Sequence, residues 1–413
     1  MKITRKEIEE AAVRIGDVTD KTPLQYSQRL SQQYEAKIYL KREDLQQVRS
    51  FKIRGALNKM VSLSDEEKSK GVVTASAGNH AQGVAFSCNK LKVNGVVYMP
   101  VVAPNQKVER VKYFGNGHVT VKLEGDSYDE AVVAAKKYSH ETGAVYIPAF
   151  EDEKVIAGQG TVGLEILEKL DSPDYIFCQI GGGGLISGVA IAVKELKRSV
   201  KIFGVEPSGA ASMAVSLENK KVTPLHEVDT FCDGVAVKTV GETTLKICQK
   251  YLEKVIVVPE GQVATTMIDL FQNEGIVTEP SGALTVSALE DVKNEIKGKV
   301  VVCIISGGNN DLLRYPEIME KSLIFQGRKH YFLVEFAQKP GQLKKFVNHV
   351  LGQKDDIVLF EYVKRTNREK GPVLVGVEFS KKEDYPPMVK KMSDFGFKFK
   401  ELNPDELSYN FLV

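Results

Sequence analysis

Residues 175–188 read Tyr-Ile-Phe-Cys-Gln-Ile-Gly-Gly-Gly-Gly-Leu-Ile-Ser-Gly, which is an apolar run, a run of glycines and a helical pattern in succession. The order of strand, glycine loop and helix is typical of a parallel α/β sheet. Successive residues without a Cβ let their backbone N–H groups converge on one anion, and the positive end of the following helix strengthens the attraction. The stretch therefore predicts a phosphate-binding loop, made by Gly181, Gly182, Gly183, Gly184 and Leu185.

This glycine run differs from two familiar phosphate loops. No Gly-Lys-Ser/Thr sequence closes it, and it matches the Gly-x-Gly-x-x-Gly spacing of dinucleotide-binding folds only trivially. A tight strand-to-helix turn remains an alternative, although such a turn normally needs only one or two glycines.

Short apolar runs alternate with helical segments through most of the chain, which predicts a parallel sheet with helices on both faces. The predicted strands are 72–75, 93–98, 118–121, 175–180, 201–205, 255–258 and 300–305. In open α/β sheets ligands bind beyond the carboxyl ends of the strands. We therefore expect the motifs at Ser76, Gly181 and Ser306 to face one cleft.

Residues 50–56, Ser-Phe-Lys-Ile-Arg-Gly-Ala, place a lysine where an extended run gives way to a helix. A lysine amine is a nucleophile only when it has lost its proton. The apolar neighbours of Lys52 disfavour its ammonium form, and the positive charges of Lys41, Arg42 and Arg54 are expected to disfavour it further. The alternative is a lysine that simply extends to solvent.

The loop that follows the strand 72–75 is a candidate clamp for a substrate carboxylate, because its backbone N–H groups face the start of a helix. Its residues are Ser76, Ala77, Gly78, Asn79 and His80. Ser76 or Asn79 could instead only cap the helix. A lone histidine at a helix start is more often structural than catalytic, so His80 is a secondary candidate.

The composition is that of a globular protein: 43% of the 413 residues are hydrophobic and 27% are charged. With 56 Lys+Arg against 54 Asp+Glu, the charge gives no reason to expect a nucleic acid or a membrane as partner. The five cysteines are scattered and form no Cys-x-x-Cys pair, and there is no apolar signal region. These features predict a cytoplasmic protein with reduced thiols.

Four ordered motifs together closely resemble the threonine dehydratase and serine racemase branch of the pyridoxal-phosphate fold type II enzymes. They are residues 50–56, 74–83 (Thr-Ala-Ser-Ala-Gly-Asn-His-Ala-Gln-Gly), 158–166 (Gly-Gln-Gly-Thr-Val-Gly-Leu-Glu-Ile) and 181–184. The resemblance covers roughly residues 1–320. It implies two open parallel-sheet α/β subdomains within residues 1–322, the smaller one, roughly 50–150, being inserted in the larger.

The resemblance also implies pyridoxal 5'-phosphate as cofactor and a role for each motif. Lys52, next to Phe51, would form the Schiff base, and the glycine loop would hold the phosphate. Asn79 would contact the ring oxygen, while Ser76 and neighbouring amides would hold the substrate carboxylate. Ser306 would meet the pyridine nitrogen, and its neutral hydroxyl would favour β-elimination over transamination because the ring becomes a weaker electron sink.

Two positions depart from the serine racemases. Ala77 stands where those enzymes have a serine that serves as acid or base, so one base, Lys52, remains, which favours dehydration over racemisation. Glu206 matches the first ligand of their divalent site, but Ser212 stands where an acidic ligand is expected. We therefore predict no magnesium, and only a weaker candidate site for a monovalent ion near Glu206 and Ala210.

Residues 325–413 have a different pattern, with predicted elements in the order βαββαβ, which indicates a ferredoxin-like unit. It resembles the ACT-like regulatory domain of biosynthetic threonine dehydratases, and Lys339-Pro-Gly-Gln-Leu343 is similar to the turn at which such domains bind amino acids. The resemblance implies isoleucine as effector, with valine as a second candidate, and a homo-oligomer, most simply a tetramer. A dimerisation module without a ligand is the alternative.

The expected reaction is the dehydration and deamination of L-threonine to 2-oxobutanoate and ammonia, the first committed step of isoleucine biosynthesis. L-Serine remains open as a substrate, because one methyl group in an apolar pocket is worth only about 1–3 kcal/mol of discrimination. A catabolic serine/threonine dehydratase is the alternative enzyme. A catalytically dead amino-acid sensor is disfavoured by the intact Lys52, Asn79, glycine loop and Ser306.

Overall fold

The structure is a computed structural model that describes residues 3–363 and 369–403. Contacts divide the chain into two units, Met1–Asp311 and Leu312–Val413. The predicted regulatory domain extends to residue 413, and its residues 364–368 and 404–413 lie outside the described part.

The first unit contains two sheets. The strands of the larger sheet are β1 (Leu24–Tyr26), β2 (Lys37–Arg42), β7 (Tyr175–Gln179), β8 (Lys201–Pro207), β9 (Lys254–Val258) and β10 (Val300–Ile305). They are arranged in the order β1-β2-β10-β7-β8-β9. All neighbours are parallel except β1, which runs antiparallel to β2.

The smaller sheet is inserted between β2 and β7. Its strands are β3 (Val72–Ala75), β4 (Gly95–Met99), β5 (Val119–Leu123) and β6 (Val145–Tyr146), all parallel and in the order β5-β4-β3-β6. The fold type II architecture expected from the sequence, with two open and mostly parallel sheets, is confirmed.

Helices cover these sheets. They are α1 (Arg5–Ile15), α2 (Gln28–Gln33), α3 (Lys52–Val61), α4 (Asp65–Lys70), α5 (Asn79–Leu91), α6 (Asn105–Gly115), α7 (Tyr128–Thr142), α8 (Glu153–Lys169), α9 (Gly184–Lys194), α10 (Ser212–Glu218), α11 (Glu242–Tyr251), α12 (Glu260–Glu274), α13 (Pro280–Ser287) and α14 (Lys293–Ile296). Ser64 and Glu67 form a reciprocal capping box at the start of α4, so this helix entry follows directly from local sequence.

A core cluster of buried apolar residues joins α8 and α9 to the central strands of the larger sheet. Strand β7 is buried along its whole length, and β10 is buried except at its first residue. Their carboxyl ends open at the same edge of the sheet, because the two strands are parallel neighbours. The glycine loop and Ser306 follow these two ends.

The second unit begins with α15 (Tyr315–Phe325). Its sheet consists of β11 (Lys329–Ala337), β12 (Asp356–Tyr362), β13 (Lys370–Glu378) and β14 (Lys398–Leu402), with helices α16 (Gln342–His349) and α17 (Tyr385–Asp394). The strands are antiparallel in the order β12-β13-β11-β14. This is the ferredoxin-like βαββαβ arrangement. Its core is aromatic, with buried Phe332, Phe336, Phe346 and Phe379.

The boundary between the units differs from the predicted one. The sequence placed it at 322–325, whereas the contacts place it between Asp311 and Leu312. Helix α15 lies in the second unit, where Glu320 accepts a hydrogen bond from the Tyr331 hydroxyl at 2.6 Å. This helix is therefore hydrogen-bonded to the first strand of the regulatory unit.

All five cysteines are buried, and none of them forms a disulfide. Within residues 3–363 and 369–403, no helix is both long and apolar enough to cross a membrane.

Candidate active site

Lys52 is the first residue of α3, and the backbone that carries it is tied to the loop after β10. The Phe51 N–H donates to the Ser306 carbonyl at 3.0 Å. The Lys52 Nζ donates to the Ala149 carbonyl at 3.2 Å, and the residue is half-buried. The lysine does not extend to solvent, so its amine is held inside the first unit.

Burial lowers the pKa of the Lys52 amine to about 8, and the carboxylate of Glu279 opposes this shift. A buried ammonium loses its hydration, which is why burial favours the neutral amine. The sequence predicted a depressed pKa for Lys52 and gave its apolar surroundings as one cause. The structure agrees with this cause, because burial is what lowers the pKa.

The second predicted cause is wrong, because the positive neighbours are neutralised by carboxylates. Arg54 forms two hydrogen bonds to Glu43 and two to Glu165, with N···O distances of 2.6–2.9 Å. Lys41 binds Glu165 as well, and Arg42 forms a two-point bond with Asp44. Their charges are compensated locally and do not depress the pKa of Lys52.

The glycine loop connects β7 to α9, and its geometry requires residues without side chains. Gly183 has φ of +90°, a left-handed conformation that favours glycine. A Cβ at position 182 would lie 2.2 Å from the Phe150 ring, so a side chain there is excluded. The N–H groups at the start of α9, including those of Gly184 and Leu185, have no acceptor within the helix.

The segment 149–150 brings Lys52 and this loop together. The Ala149 carbonyl accepts the hydrogen bond of the lysine, and the ring of the next residue, Phe150, covers Gly182. Two motifs that are far apart in sequence therefore border the same space.

The loop 76–80 follows β3 as predicted and leads into α5. The Ser76 Oγ accepts a hydrogen bond from the Gly78 N–H at 3.2 Å, within the turn. Gly78 precedes the helix, and no side chain caps α5. The alternative in which Ser76 or Asn79 caps this helix is therefore not supported, and Ala77 packs beside the apolar cluster of α5 and β4.

His80 is buried and structural in its contacts. Its Nε2 lies 3.0 Å from the Ile147 carbonyl, to which it donates. Burial, together with the charge of Lys52, lowers the pKa of His80 to about 3. The ring stays neutral at physiological pH, so it is not a general acid there.

Glu279 is a site residue that the sequence analysis missed. Its carboxylate accepts hydrogen bonds from Asn79 Nδ2 at 2.7 Å, Ser281 Oγ at 2.7 Å and the Asn309 N–H at 3.2 Å. Burial raises the pKa of this carboxyl, and Asp233 adds to the rise. The Glu-Pro pair at 279–280 signals a helix start, but only the fold reveals its distant partners.

Ser306 lies at the end of β10 and is almost fully buried, with 2% of its surface exposed. Three residues later, Asn309 donates from Nδ2 to the Asn79 Oδ1 at 2.8 Å. The loop after β10 is thus bonded both to the backbone that carries Lys52 and to Asn79. The fold brings together Lys52, the glycine loop, Asn79 and Ser306.

Glu206 is satisfied by protein groups. Its two carboxylate oxygens accept the backbone N–H groups of Met213 and Ala214, each at 2.8 Å, at the start of α10. Burial raises its pKa to about 8. Ala210 is buried in the short turn before this helix. In the described part of the chain, no group of three His, Cys, Asp or Glu residues is arranged to hold a metal ion.

These residues fit a phosphorylated aldehyde cofactor. A buried amine with a lowered pKa can bond to an aldehyde, and the side-chain-free loop at a helix start can hold a phosphate. The Gln179 amide, directly before this loop, is buried and neither its oxygen nor its nitrogen has a partner among the described residues. Such orphaned groups are typical of sites that bind a polar ligand.

Two family models match the chain. Residues 15–307 match the pyridoxal-phosphate dependent enzymes, and residues 320–412 match the C-terminal regulatory domain of threonine dehydratase.

Full-length relatives extend this similarity. The chain is 49% identical over 413 residues to the biosynthetic L-threonine dehydratase of Halalkalibacterium halodurans, with 100% of both chains covered. It is 46% identical over 409 residues to that of Bacillus subtilis, covering 99% of this chain and 97% of the relative.

Solved structures are similar to most of this chain. Threonine deaminase isoform 2 of Solanum lycopersicum gives a TM-score of 0.73 at 40% identity, covering 77% of this chain and 94% of that one. Maize serine racemase gives a TM-score of 0.72 at 35% identity, with 79% and 99% covered.

Proposed function

The chain belongs to the pyridoxal-phosphate dependent enzymes, and from this membership we propose that it is a biosynthetic threonine dehydratase, which converts L-threonine to 2-oxobutanoate and ammonia. The observation that carries the proposal is the 49% identity to such an enzyme over the whole chain, regulatory unit included. A catabolic serine/threonine dehydratase normally lacks that unit. Conversion of threonine in this way is the first committed step of isoleucine biosynthesis.

Pyridoxal phosphate, when bound, supplies an electron sink that makes the hydrogen on the substrate's α-carbon acidic. The glycine loop and the start of α9 would hold its phosphate, Asn79 its ring oxygen and Ser306 its ring nitrogen. The contacts that tie these elements to Lys52 support this assignment.

Lys52 is the base in this scheme. Its lowered pKa raises the unprotonated fraction of the amine near neutral pH far above that of an exposed lysine, so it can take the α-proton. The backbone N–H groups of the loop 76–80 and the Ser76 hydroxyl would bind the substrate carboxylate. Because Ala77 offers only a methyl group, the opposite face of the substrate has no proton carrier at that position.

Ser306 influences which reaction follows. A hydroxyl, unlike a carboxylate, would not keep the pyridine nitrogen of the cofactor protonated. Loss of the substrate's β-hydroxyl would then be favoured over transamination. The site residues thus fit elimination better than racemisation or transamination.

We also propose that isoleucine is the effector of the second unit, with valine as a second candidate, and that the enzyme is a homotetramer in the cytoplasm. The match to a regulatory domain and its separate aromatic core support regulation by a ligand. The five buried cysteines, none of them in a disulfide, fit a reducing compartment.

The test is a visible absorbance spectrum of the purified protein before and after addition of L-threonine, together with an assay of 2-oxobutanoate. We expect absorbance of lysine-linked cofactor, a spectral change with threonine, and keto acid production. Lys52→Ala should lose the lysine-linked absorbance and turnover, whereas the exposed control Lys70→Ala should keep both. Retention of that absorbance in Lys52→Ala would refute the assignment.

A further inference from the structure

Glu279 joins three separate elements through one carboxylate. It precedes α13, and its donors belong to the start of α5 (Asn79), to α13 itself (Ser281) and to the loop after β10 (Asn309). Only 4% of its surface is exposed. Burying a carboxylate is costly unless several donors compensate the lost hydration, so this arrangement requires a reason.

Helix capping is not that reason. The side chain of Glu279 makes no capping bond to the backbone of α13. Its charge acts on Lys52, where it opposes the fall in the pKa of the amine. What it binds directly is a set of uncharged donors, of which the Asn79 amide is the one at the proposed cofactor site.

The neighbouring backbone is shaped to receive this carboxylate. A Cβ at position 307 would lie 2.7 Å from the Glu279 Oε1, and a Cβ at position 234 would lie 3.2 Å from the same atom. Both residues are glycines. The space around the carboxylate is therefore kept free by two residues without side chains, one of them directly after Ser306.

The Asn79 amide is held at both ends. Its Nδ2 donates to Glu279, and its Oδ1 accepts from Asn309 Nδ2. The same Asn309 Nδ2 also donates to the Val48 carbonyl. Because a carboxylate only accepts, Glu279 determines which end of the amide is the nitrogen. The bond to Glu279 uses one of the two Nδ2 hydrogens, so the direction of the other is set as well.

We propose that Glu279 is a positioning residue, which fixes the Asn79 amide for the cofactor and locks the Asn79 loop to the loop that carries Ser306. Two loops that follow strands of different sheets then hold their cofactor-binding groups in one fixed arrangement. The inference rests on the proposed cofactor site at Lys52 but not on the identity of the substrate.

The experiment is a double-mutant cycle on cofactor affinity, measured by equilibrium dialysis of pyridoxal phosphate against cofactor-free full-length protein. Its four proteins are wild type, Glu279→Gln, Asn79→Ala and the double variant. Glutamine keeps the size of the side chain but offers only one accepting oxygen. Glu290→Gln, at an exposed carboxylate just after α13, is the control for the same chemical change.

We expect Glu279→Gln to weaken cofactor binding about tenfold or more when Asn79 is present, as loss of a hydrogen bond to a charged group would do. In the Asn79→Ala background the same substitution should weaken binding less than about threefold, because the oriented group is gone. Glu290→Gln should leave the affinity unchanged.

An equal loss in both backgrounds, in proteins that retain the circular dichroism spectrum of the wild type, would overturn the proposal. If Glu279→Gln does not fold, Asn309→Ala replaces it in the cycle, since Asn309 holds the other end of the amide, and the same non-additivity is expected. Failure of wild type to bind the cofactor would instead contradict the proposed function, so the two failures are distinguishable.

Discussion

The guanidinium of Arg54 and the carboxylate of Glu43 form a two-point ion pair inside the first unit, with Nε–Oε2 at 2.7 Å and Nη2–Oε1 at 2.8 Å. Both side chains are almost completely inaccessible, with exposed fractions of 1% and 0%. The neighbouring carboxylate keeps the pKa of Arg54 above its usual range, and Arg54 lowers the pKa of Glu43. The pair therefore remains charged in the folded protein.

Removal of one partner should be strongly destabilising. Arg54→Met leaves Glu43 and Glu165 without their main cation, and breaking a buried pair in this way typically costs about 3–5 kcal/mol. We expect a markedly lower midpoint in thermal unfolding. Because Arg54 is two residues from Lys52 on α3, cofactor binding should weaken as well.

Arg5→Met is the matched control for this change. Arg5 pairs with Glu9 on the surface of α1, with exposed fractions of 41% and 45%, and such pairs are worth about 1 kcal/mol or less. Equal effects of the two substitutions on the unfolding midpoint would show that the buried cluster does not stabilise the fold in this way.

The pKa of Lys52 can be measured in the cofactor-free protein. We expect competitive labelling of this amine, followed by mass spectrometry, to show a midpoint near pH 8, well below the value of about 10.4 for an exposed lysine. The negative charge of Glu279 stabilises the ammonium, so Glu279→Gln should move the midpoint to lower pH. Glu290→Gln should not move it. A wild-type midpoint above 10 would contradict the buried amine.

The sequence predicted elements best where apolar runs are long and buried on both faces. Strands β7 and β10 were predicted within one residue of their ends, because both are continuous apolar runs. Strands β1 and β6 were missed because they have only three and two residues. Strand β2 was not predicted either, and it ends in Lys41 and Arg42, which pair with the distant Glu165 and the nearby Asp44.

The site shows the same limit. Lys52, the glycine loop and Ser306 carry local signals, since each stands at the end of a predicted strand or the start of a helix. Glu279 also stands at a helix start, but nothing local points to its partner Asn79, which is 200 positions away and becomes its neighbour only in the fold. The charges near Lys52 were misjudged for the same reason, because a sequence does not show that Arg54 is neutralised by Glu165.

Ala77 should make the enzyme unable to invert the substrate efficiently. We expect keto acid from L-threonine without measurable D-threonine or allo-threonine, since the opposite face has no proton carrier at this position. Chiral chromatography of recovered substrate measures this. Ala77→Ser should raise epimerisation above the wild-type level, and substantial epimerisation by the wild type would refute the argument from Ala77.

Ser306→Asp should change the balance between reactions. A carboxylate stabilises a protonated pyridine nitrogen, so we expect retained cofactor, loss of most elimination activity and some transamination. The products 2-oxobutanoate and pyridoxamine phosphate distinguish the two reactions. Ser306→Ala, which adds no charge, serves as control and should not gain transamination. Unchanged elimination in Ser306→Asp would mean that the residue is not at the ring nitrogen.

Regulation should depend on the second unit. The sequence points to the turn at Pro340–Gly341, where Gly341 has φ of +88° and open space around its Cα. A depression of about 600 Å³ between residues 352–355 and 380–391 is a second candidate effector site, lined by both acidic and basic side chains and by Met388. An amino acid could use such charges for its own ammonium and carboxylate.

We expect isoleucine to lower the affinity for threonine in the full chain, by about five- to 150-fold for typical coupling energies of about 1–3 kcal/mol. A chain that ends at Asp311, where the contacts between the units divide, should retain dehydration but lose this inhibition. A cut after Ser322 is less suitable, because it lies within α15. Initial rates against threonine concentration, with and without isoleucine, measure the effect. Asp355→Asn and Lys339→Gln, the latter at an exposed side chain of the turn, then separate the two candidate sites, because only the variant at the effector site should reduce inhibition while leaving the rate without isoleucine unchanged. Equally strong inhibition of the truncated enzyme would place the effector site in the first unit.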